Sequence, residues 1–251
     1  MPRKAIKTRD DKTEREGKSI DDQVRSALVW LRRHSSKSTR DGMARYAIPS
    51  DNALGVSVGN IRALGKQLGR NHELAAALWE TGVYEARMLT SFVDEPARVT
   101  SAQMDRWCRD FDSWAICDSL CFHLFDRTPH AWQKVPKWSK HRDEFVKRAG
   151  FALMASLTVH DKAAPDSKFL PLLKLIEKGA TDERNFVKKA VNWALRTIGK
   201  RSATLNEAAV AVAHRLAESD NSASRWVGKD ALRELTSTNV RSRLARRAGK
   251  D

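Results

Sequence analysis

FDSWAICDSLCFHLF, Phe111 to Phe125, is the stretch that decides what this chain folds into. Asp112 or Ser113 is placed to cap a first helical turn, and the residues after it are apolar on nearly every face: Trp114, Ile116, Cys117, Leu120, Cys121, Phe122 and Leu124. A helix of this kind belongs near the centre of a fold, largely buried. Asp118 interrupts it. A carboxylate in such surroundings is costly to desolvate unless it is paired, so it demands a partner or a function. Trp114 lies four residues earlier on the same helical face, so an indole and a carboxylate are presented together. Two accounts fit these residues. Asp118 makes a buried salt bridge or caps a neighbouring helix while Trp114 fills the core, or the two form a site.

Outward from this helix the pattern is the same. Almost every apolar run follows the 3.6-residue period, and strand-like alternation is hard to find, so the chain reads as all-α. Helical segments are predicted at 20–34, 38–47, 57–69, 71–80, 83–94, 101–111, 113–125, 129–135, 142–160, 167–178, 183–199, 204–218 and 223–236. Gly69-Arg70-Asn71, Asp94-Glu95-Pro96, Arg127-Thr128-Pro129 and Gly179-Ala180-Thr181 supply the stops between them. Short breaks favour antiparallel neighbours, and pairs recurring about every 35 to 40 residues predict a curved α-solenoid of HEAT-like antiparallel helix pairs. A compact irregular bundle is the other arrangement such helices allow. Residues 1–19, with seven basic and four acidic side chains and almost nothing apolar, read as a flexible charged tail. The helical domain spans 20–238. Residues 239–251, NVRSRLARRAGKD, read as a basic C-terminal tail, either a frayed helix end or an arm. In PHAWQKVPKWSK, Pro136 is expected to break a helix.

The 251 residues carry 46 Lys and Arg against 31 Asp and Glu, a formal charge of +15, and the pI is near 10.0. A field of that sign attracts polyanions, and nucleic acid is the first partner to consider. The basic groove of a curved helical stack is the natural place for DNA. A membrane-surface role is disfavoured because no cationic face is paired with the wide Trp/Phe/Leu face it needs. No apolar leader and no long apolar stretch are found, so the chain reads as a soluble, cytoplasmic protein, nucleoid-associated if bacterial. Cys108, Cys117 and Cys121 are too few and too clustered for a disulfide framework and read as small buried hydrophobes. The seven histidines show no ligand spacing, so neither a metal nor another cofactor is expected.

Two later helices add to Trp114 and Asp118. EFVKRAGFALMASL, Glu144 to Leu157, sets Arg148 beside an apolar stripe. NFVKKAVNWALRTIG, Asn185 to Gly199, sets Trp193 at the edge of one, with Lys188, Lys189 and Arg196 suited to a phosphate-facing surface. From roughly Met43 to Leu235 the chain resembles the DNA alkylation repair glycosylases of the AlkD type, which are built from HEAT-like repeats. The resemblance rests on five positions in order and context: Tyr46 in MARYAIPSDNALGVSVGNIRAL, Trp114 and Asp118 in the Trp-x-x-x-Asp pattern, Arg148 in KRAGFALMASL, and Trp193 in FVKKAVNWALR. Some relatives lack the catalytic aspartate and tryptophans and are thought to have little or no glycosylase activity. This chain keeps them. It departs from the family in its charged N-terminal tail and in the PHAWQKVPKWSK segment.

The resemblance implies a monomeric enzyme that acts on duplex DNA containing alkylated purines, with Asp118, Trp114, Trp193 and Arg148 as the catalytic set and Tyr46, Lys188, Lys189 and Arg196 toward DNA. A purine alkylated at N3 or N7 is a cationic leaving group, and breaking its glycosidic bond develops positive charge on the sugar. Asp118 would oppose that charge and orient water; Trp114 and Trp193 would pack against the lesion nucleotide. Arg148 is equally suited to hold a nearby phosphate or to pair with Asp118. Members of the family act without a base-binding pocket, and no lysine nucleophile is evident, which implies a monofunctional enzyme of base-excision repair leaving an abasic site. Two other readings fit the same charge: a non-catalytic HEAT-like scaffold for bent or branched DNA, and an adaptor for acidic proteins.

Overall fold

The computed structural model describes residues 19–248, and every regular element among them is helical. The described residues form two compact units, divided between Arg98 and Val99. In the first, α1 (Ile20–Arg33), α2 (Lys37–Gly42), α3 (Val58–Leu68), α4 (His72–Glu80) and α5 (Tyr84–Val93) follow in order. Ser19, Ser57 and Asn71 cap α1, α3 and α4, their side-chain oxygens accepting from the N–H groups of Asp22, Asn60 and Leu74. α5 packs on α3 and α4, and α1 packs on α4, around Leu31, Ile61, Leu78, Trp79 and Leu89.

The predicted helix 38–47 stops at Gly42. The chain tightens into a 3₁₀ turn, Met43–Tyr46, that ends at Ala47 in the left-handed region at φ 51°. The loop beyond it is held by Glu85, a fully buried carboxylate whose oxygens accept from the backbone N–H groups of Leu54, Gly55 and Val56 at 2.9, 2.7 and 3.1 Å. Three charge-assisted hydrogen bonds replace the water that this carboxylate gives up.

The second unit contains α6 (Ser101–Arg109), α7 (Trp114–His123), α8 (Ala131–Trp138), α9 (Glu144–His160), α10 (Leu172–Gly179), α11 (Asn185–Gly199), α12 (Ala203–Ala217), α13 (Ser222–Leu235) and α14 (Thr238–Ala248). Short 3₁₀ turns at Phe125–Arg127 and Asp166–Lys168 join some of them. α7, α9, α11 and α13 lie side by side, with α8 against α9, α10 against α11, and α12 against α11 and α13. α9 is the central element, buried without interruption from Arg148 to Thr158. Gly150 lets it pass the end of α8: a Cβ there would collide with the backbone of Trp138 and Ser139. Gly150→Ala is therefore expected to cost about 1–3 kcal/mol, as overpacking typically does. A melting curve of the variant checks this, and an unchanged midpoint would mean that the two helices are free to separate.

The structure corrects the expectation for Pro136, which sits inside α8 and does not end it. The missing N–H costs one hydrogen bond, to the carbonyl four residues back. Against that cost, α8 directs Lys134 Nζ, Lys137 Nζ and Trp138 Nε1 onto the single carboxylate of Asp105, at 2.9, 2.6 and 2.8 Å. Burial raises the Asp105 carboxyl, but these three donors outweigh burial and hold it down at about 2. Tertiary anchoring thus overrides the local preference. The predicted segment 167–178 is also shortened: Pro171 caps a fresh start, and α10 begins only at Leu172.

Residues 238–248 form α14, with Val240 and Leu244 buried against α12 and α13. Residues 1–18 of the N-terminal tail and 249–251 of the C-terminal one lie outside the described residues. Among the described residues, no helix is long and apolar enough to cross a membrane.

Candidate active site

One side of α7 is half-buried and the other is core. Trp114, Asp118 and Phe122, spaced one turn apart, form one row of that side, with Ala115, Ser119 and His123 beside them; Ile116, Cys117, Leu120 and Cys121 turn inward and are buried. Ser113 starts the helix, its Oγ accepting from the Ala115 N–H. The small thiols of Cys117 and Cys121 let α9 come close, lying 3.8 and 3.6 Å from the carbonyl oxygens of Phe145 and Ala149. All three cysteines are buried and unpaired.

That close approach carries Arg148 from α9 to Asp118. Its guanidinium donates from Nε to Oδ1 at 2.9 Å and from Nη2 to Oδ2 at 2.6 Å, a two-pronged grip that fixes the plane of the carboxylate. The third prong, Nη1, donates to the Phe186 carbonyl at 2.6 Å in the first turn of α11. The same guanidinium lies 5.9 Å from the centre of the Trp114 ring. One side chain therefore ties three helices together at the carboxylate. Of the two roles open to Arg148 in the sequence, the pairing with Asp118 is the one present in this geometry.

Arg148 is sealed, with 7% of its side chain exposed, whereas Asp118 keeps 22%. The carboxylate presents an open edge to solvent from a rigid support. Burial pushes the Asp118 carboxyl above its usual range, with Arg148 opposing the shift. Burial also works against the Arg148 charge, and the facing carboxylate more than compensates, raising the guanidinium further.

Trp193 of α11 is half-buried and joins the face through Phe122, the two rings stacking with centroids 6.5 Å apart and planes 29° apart. Phe122 also meets the His160 ring edge-on at 4.3 Å, and His160 Nδ1 is bonded to the buried Asp126. The structure thus brings Arg148 onto Asp118 and beside Trp114, and places Trp193 beyond Phe122. Phe122 and the His160–Asp126 pair were not singled out from sequence. For Phe122 the signal was available, since residues 114, 118 and 122 share one helical face.

The residues expected to face DNA are less uniform. Lys188 lies over the half-exposed Trp226 ring at 5.1 Å, and Lys189 is exposed with no carboxylate partner among the described residues. Arg196 is instead bound to Glu234 at 2.6 Å, and Glu234 also takes Lys200 at 2.5 Å. With Asn192 bonded to Asp230 at 2.6 Å, these pairs form a polar ladder between α11 and α13. A phosphate would compete with Glu234 for Arg196. Tyr46 belongs to the other unit, 66% exposed at the end of its 3₁₀ turn.

In chemical terms this is a fixed anion with one open edge, bordered by aromatic faces. Such a site favours positive charge that develops beside it, because the carboxylate is already oriented and needs no reorganisation. Among the described residues, no group of His, Cys, Asp and Glu is placed to hold a metal ion.

Compared with known proteins, residues 28–235 match the family model described as DNA alkylation repair enzyme, a range that includes every residue of this site. Among solved structures, one described as a new family of proteins related to the HEAT-like repeat DNA glycosylases with affinity for branched DNA structures is 22% identical; it covers 88% of this chain and 95% of its own, with a TM-score of 0.71. The fold is therefore that of the HEAT-like repeat proteins. A designed armadillo repeat protein aligns over 71% of this chain and 92% of its own at 16% identity, with a TM-score of 0.32. No match was found among curated proteins.

Proposed function

Because the chain belongs to the DNA alkylation repair enzyme family, we propose that it is a monofunctional DNA glycosylase that excises cationic N3- or N7-alkylated purines from duplex DNA. The observation that carries this reading is the Asp118 carboxylate, gripped on both oxygens by Arg148 and still 22% exposed between Trp114 and Phe122. The alkylated base leaves as a neutral purine, taking the bonding electrons and leaving positive charge on the sugar. Asp118 opposes that charge and orients the water that adds to the sugar carbon. Trp114 and Trp193 border the lesion nucleotide, where aromatic faces favour a cation. Arg148 is a positioning residue, holding the carboxylate in place. Lys188, Lys189 and Tyr46 contact the DNA outside the reacting centre, and Arg196 joins them when a phosphate displaces Glu234.

The products define the test. Duplex DNA methylated on purines should yield free 7-methylguanine or 3-methyladenine and an abasic site that breaks only on alkali treatment. Strand breakage without alkali would indicate a lyase step, and no released base would reject the glycosylase reading. A second reading draws on the solved relative described as having affinity for branched DNA: this chain binds branched DNA without excising a base. Tight binding of a four-way junction by a protein that releases no base from methylated duplex would select it.

A further inference from the structure

α14 and the ends of α9 and α11 enclose a second feature of the same unit, a cleft of about 620 Å³ with Trp193 in its wall. Its lining holds five cations, Lys162, Lys200, Arg201, Arg243 and Arg247, against the one carboxylate of Asp166. Some of that charge is already engaged. Arg201 donates to the carbonyls of Thr158 and Ala164 at 2.8 and 2.6 Å and lies 3.6 Å from Asp166, while Lys200 is paired with Glu234. Lys162 and Arg243 have no carboxylate partner among the described residues. Among the described residues, Arg247 reaches backbone carbonyls, those of Lys200 and Arg201 at 3.4 and 3.1 Å.

Arg243 and Arg247 are one turn apart on α14, beside the buried Leu244, so the packing that seats α14 also sets both guanidinium groups at the cleft. Cations gathered without matching anions repel one another. Lys162 registers this: burial, then the charges of Arg201 and Arg247, hold its ammonium below the usual value. An anion placed among them relieves the repulsion. The volume exceeds what a lone phosphate fills and suits a small ligand or one unit of a polymer.

We propose that this cleft is a phosphate-binding site for the DNA backbone, in which Lys162, Arg243 and Arg247 hold one nucleotide unit of a strand that runs past Trp193. The assignment deepens the proposed function, resting on its DNA-binding part and not on base excision. It also gives the basic C-terminal segment a role, with α14 acting as a clamp on the strand.

The test is the salt dependence of binding to undamaged duplex DNA. Replacing both arginines (Arg243→Ala with Arg247→Ala) should weaken binding to all sequences alike and reduce the slope of log K against log salt by about 2, roughly one for each arginine removed. Lys162→Gln, outside α14, should reduce the slope by about 1 and covers the case in which the double variant loses its last helix. Unchanged slopes in both would overturn the proposal. So would inorganic phosphate that, at constant ionic strength, binds the wild type but not the double variant and displaces no DNA, since the cleft would then belong to free phosphate. A wild type that binds duplex but excises nothing would refute the glycosylase reading and leave this one standing.

Discussion

Asp118→Asn is expected to slow excision of a cationic alkylpurine by about 100-fold at saturating enzyme, equivalent to about 2.7 kcal/mol of transition-state stabilisation, with little change in DNA affinity. The substitution keeps the shape and removes the charge that opposes the developing cation. It also disturbs the pair: the amide oxygen can accept from one prong of Arg148, but the amide nitrogen then faces the other, donor against donor. Some loss of stability follows, so the rate must be expressed per folded molecule. If Asp118 served only to neutralise Arg148, excision would fall no further than the folded fraction does. The wild type has a related signature. Asp118 must be ionised to act, and burial raises its carboxyl above the usual 3.8. Excision should therefore decline as pH falls through that raised value, an acid limb that Asp118→Asn lacks.

Arg148→Met should produce the largest loss of stability. It leaves a largely buried carboxylate uncompensated and the Phe186 carbonyl without its donor, a change that costs about 3–5 kcal/mol in comparable pairs. For a protein of this size that is a fall of about 6–20 °C in melting midpoint. Because Arg148 is the group that opposes the rise of the Asp118 carboxyl, its removal should move the acid limb of any remaining activity to higher pH. Combining Arg148→Met with Asp118→Leu should recover most of the lost stability, since apolar replacements of a buried pair are often neutral or better. Excision should not recover. A midpoint unchanged in Arg148→Met would show that the pair bears no part of the packing of α7, α9 and α11.

The helical architecture was legible because it depends on period and on turn chemistry, both local. So was the core of the site: Trp114 and Asp118 share a face by spacing alone, and a charge inside an apolar helix announces a partner. What the sequence could not settle was which partner. Arg148 lies 30 residues from Asp118, and only the approach of α9, permitted by Cys117 and Cys121, brings them together. The same applies to Arg196, whose attachment to Glu234 spans 38 residues. Pro136 was misjudged because the propensity rule ignores Asp105, three donors of α8 converging on one carboxylate. The basic C-terminal stretch looked featureless because Val240 and Leu244 are too few to mark an amphipathic helix until α12 and α13 are in place to bury them.

The measurement that tests the central claim most directly is release of free alkylated base from methylated duplex DNA by the wild type and by Asp118→Asn in parallel, under single turnover with saturating enzyme. The account predicts release of 3-methyladenine or 7-methylguanine by the wild type, and release slowed about 100-fold by a variant that still binds the duplex. Equal release by the two folded proteins, or none by a wild type that binds DNA well, would contradict it.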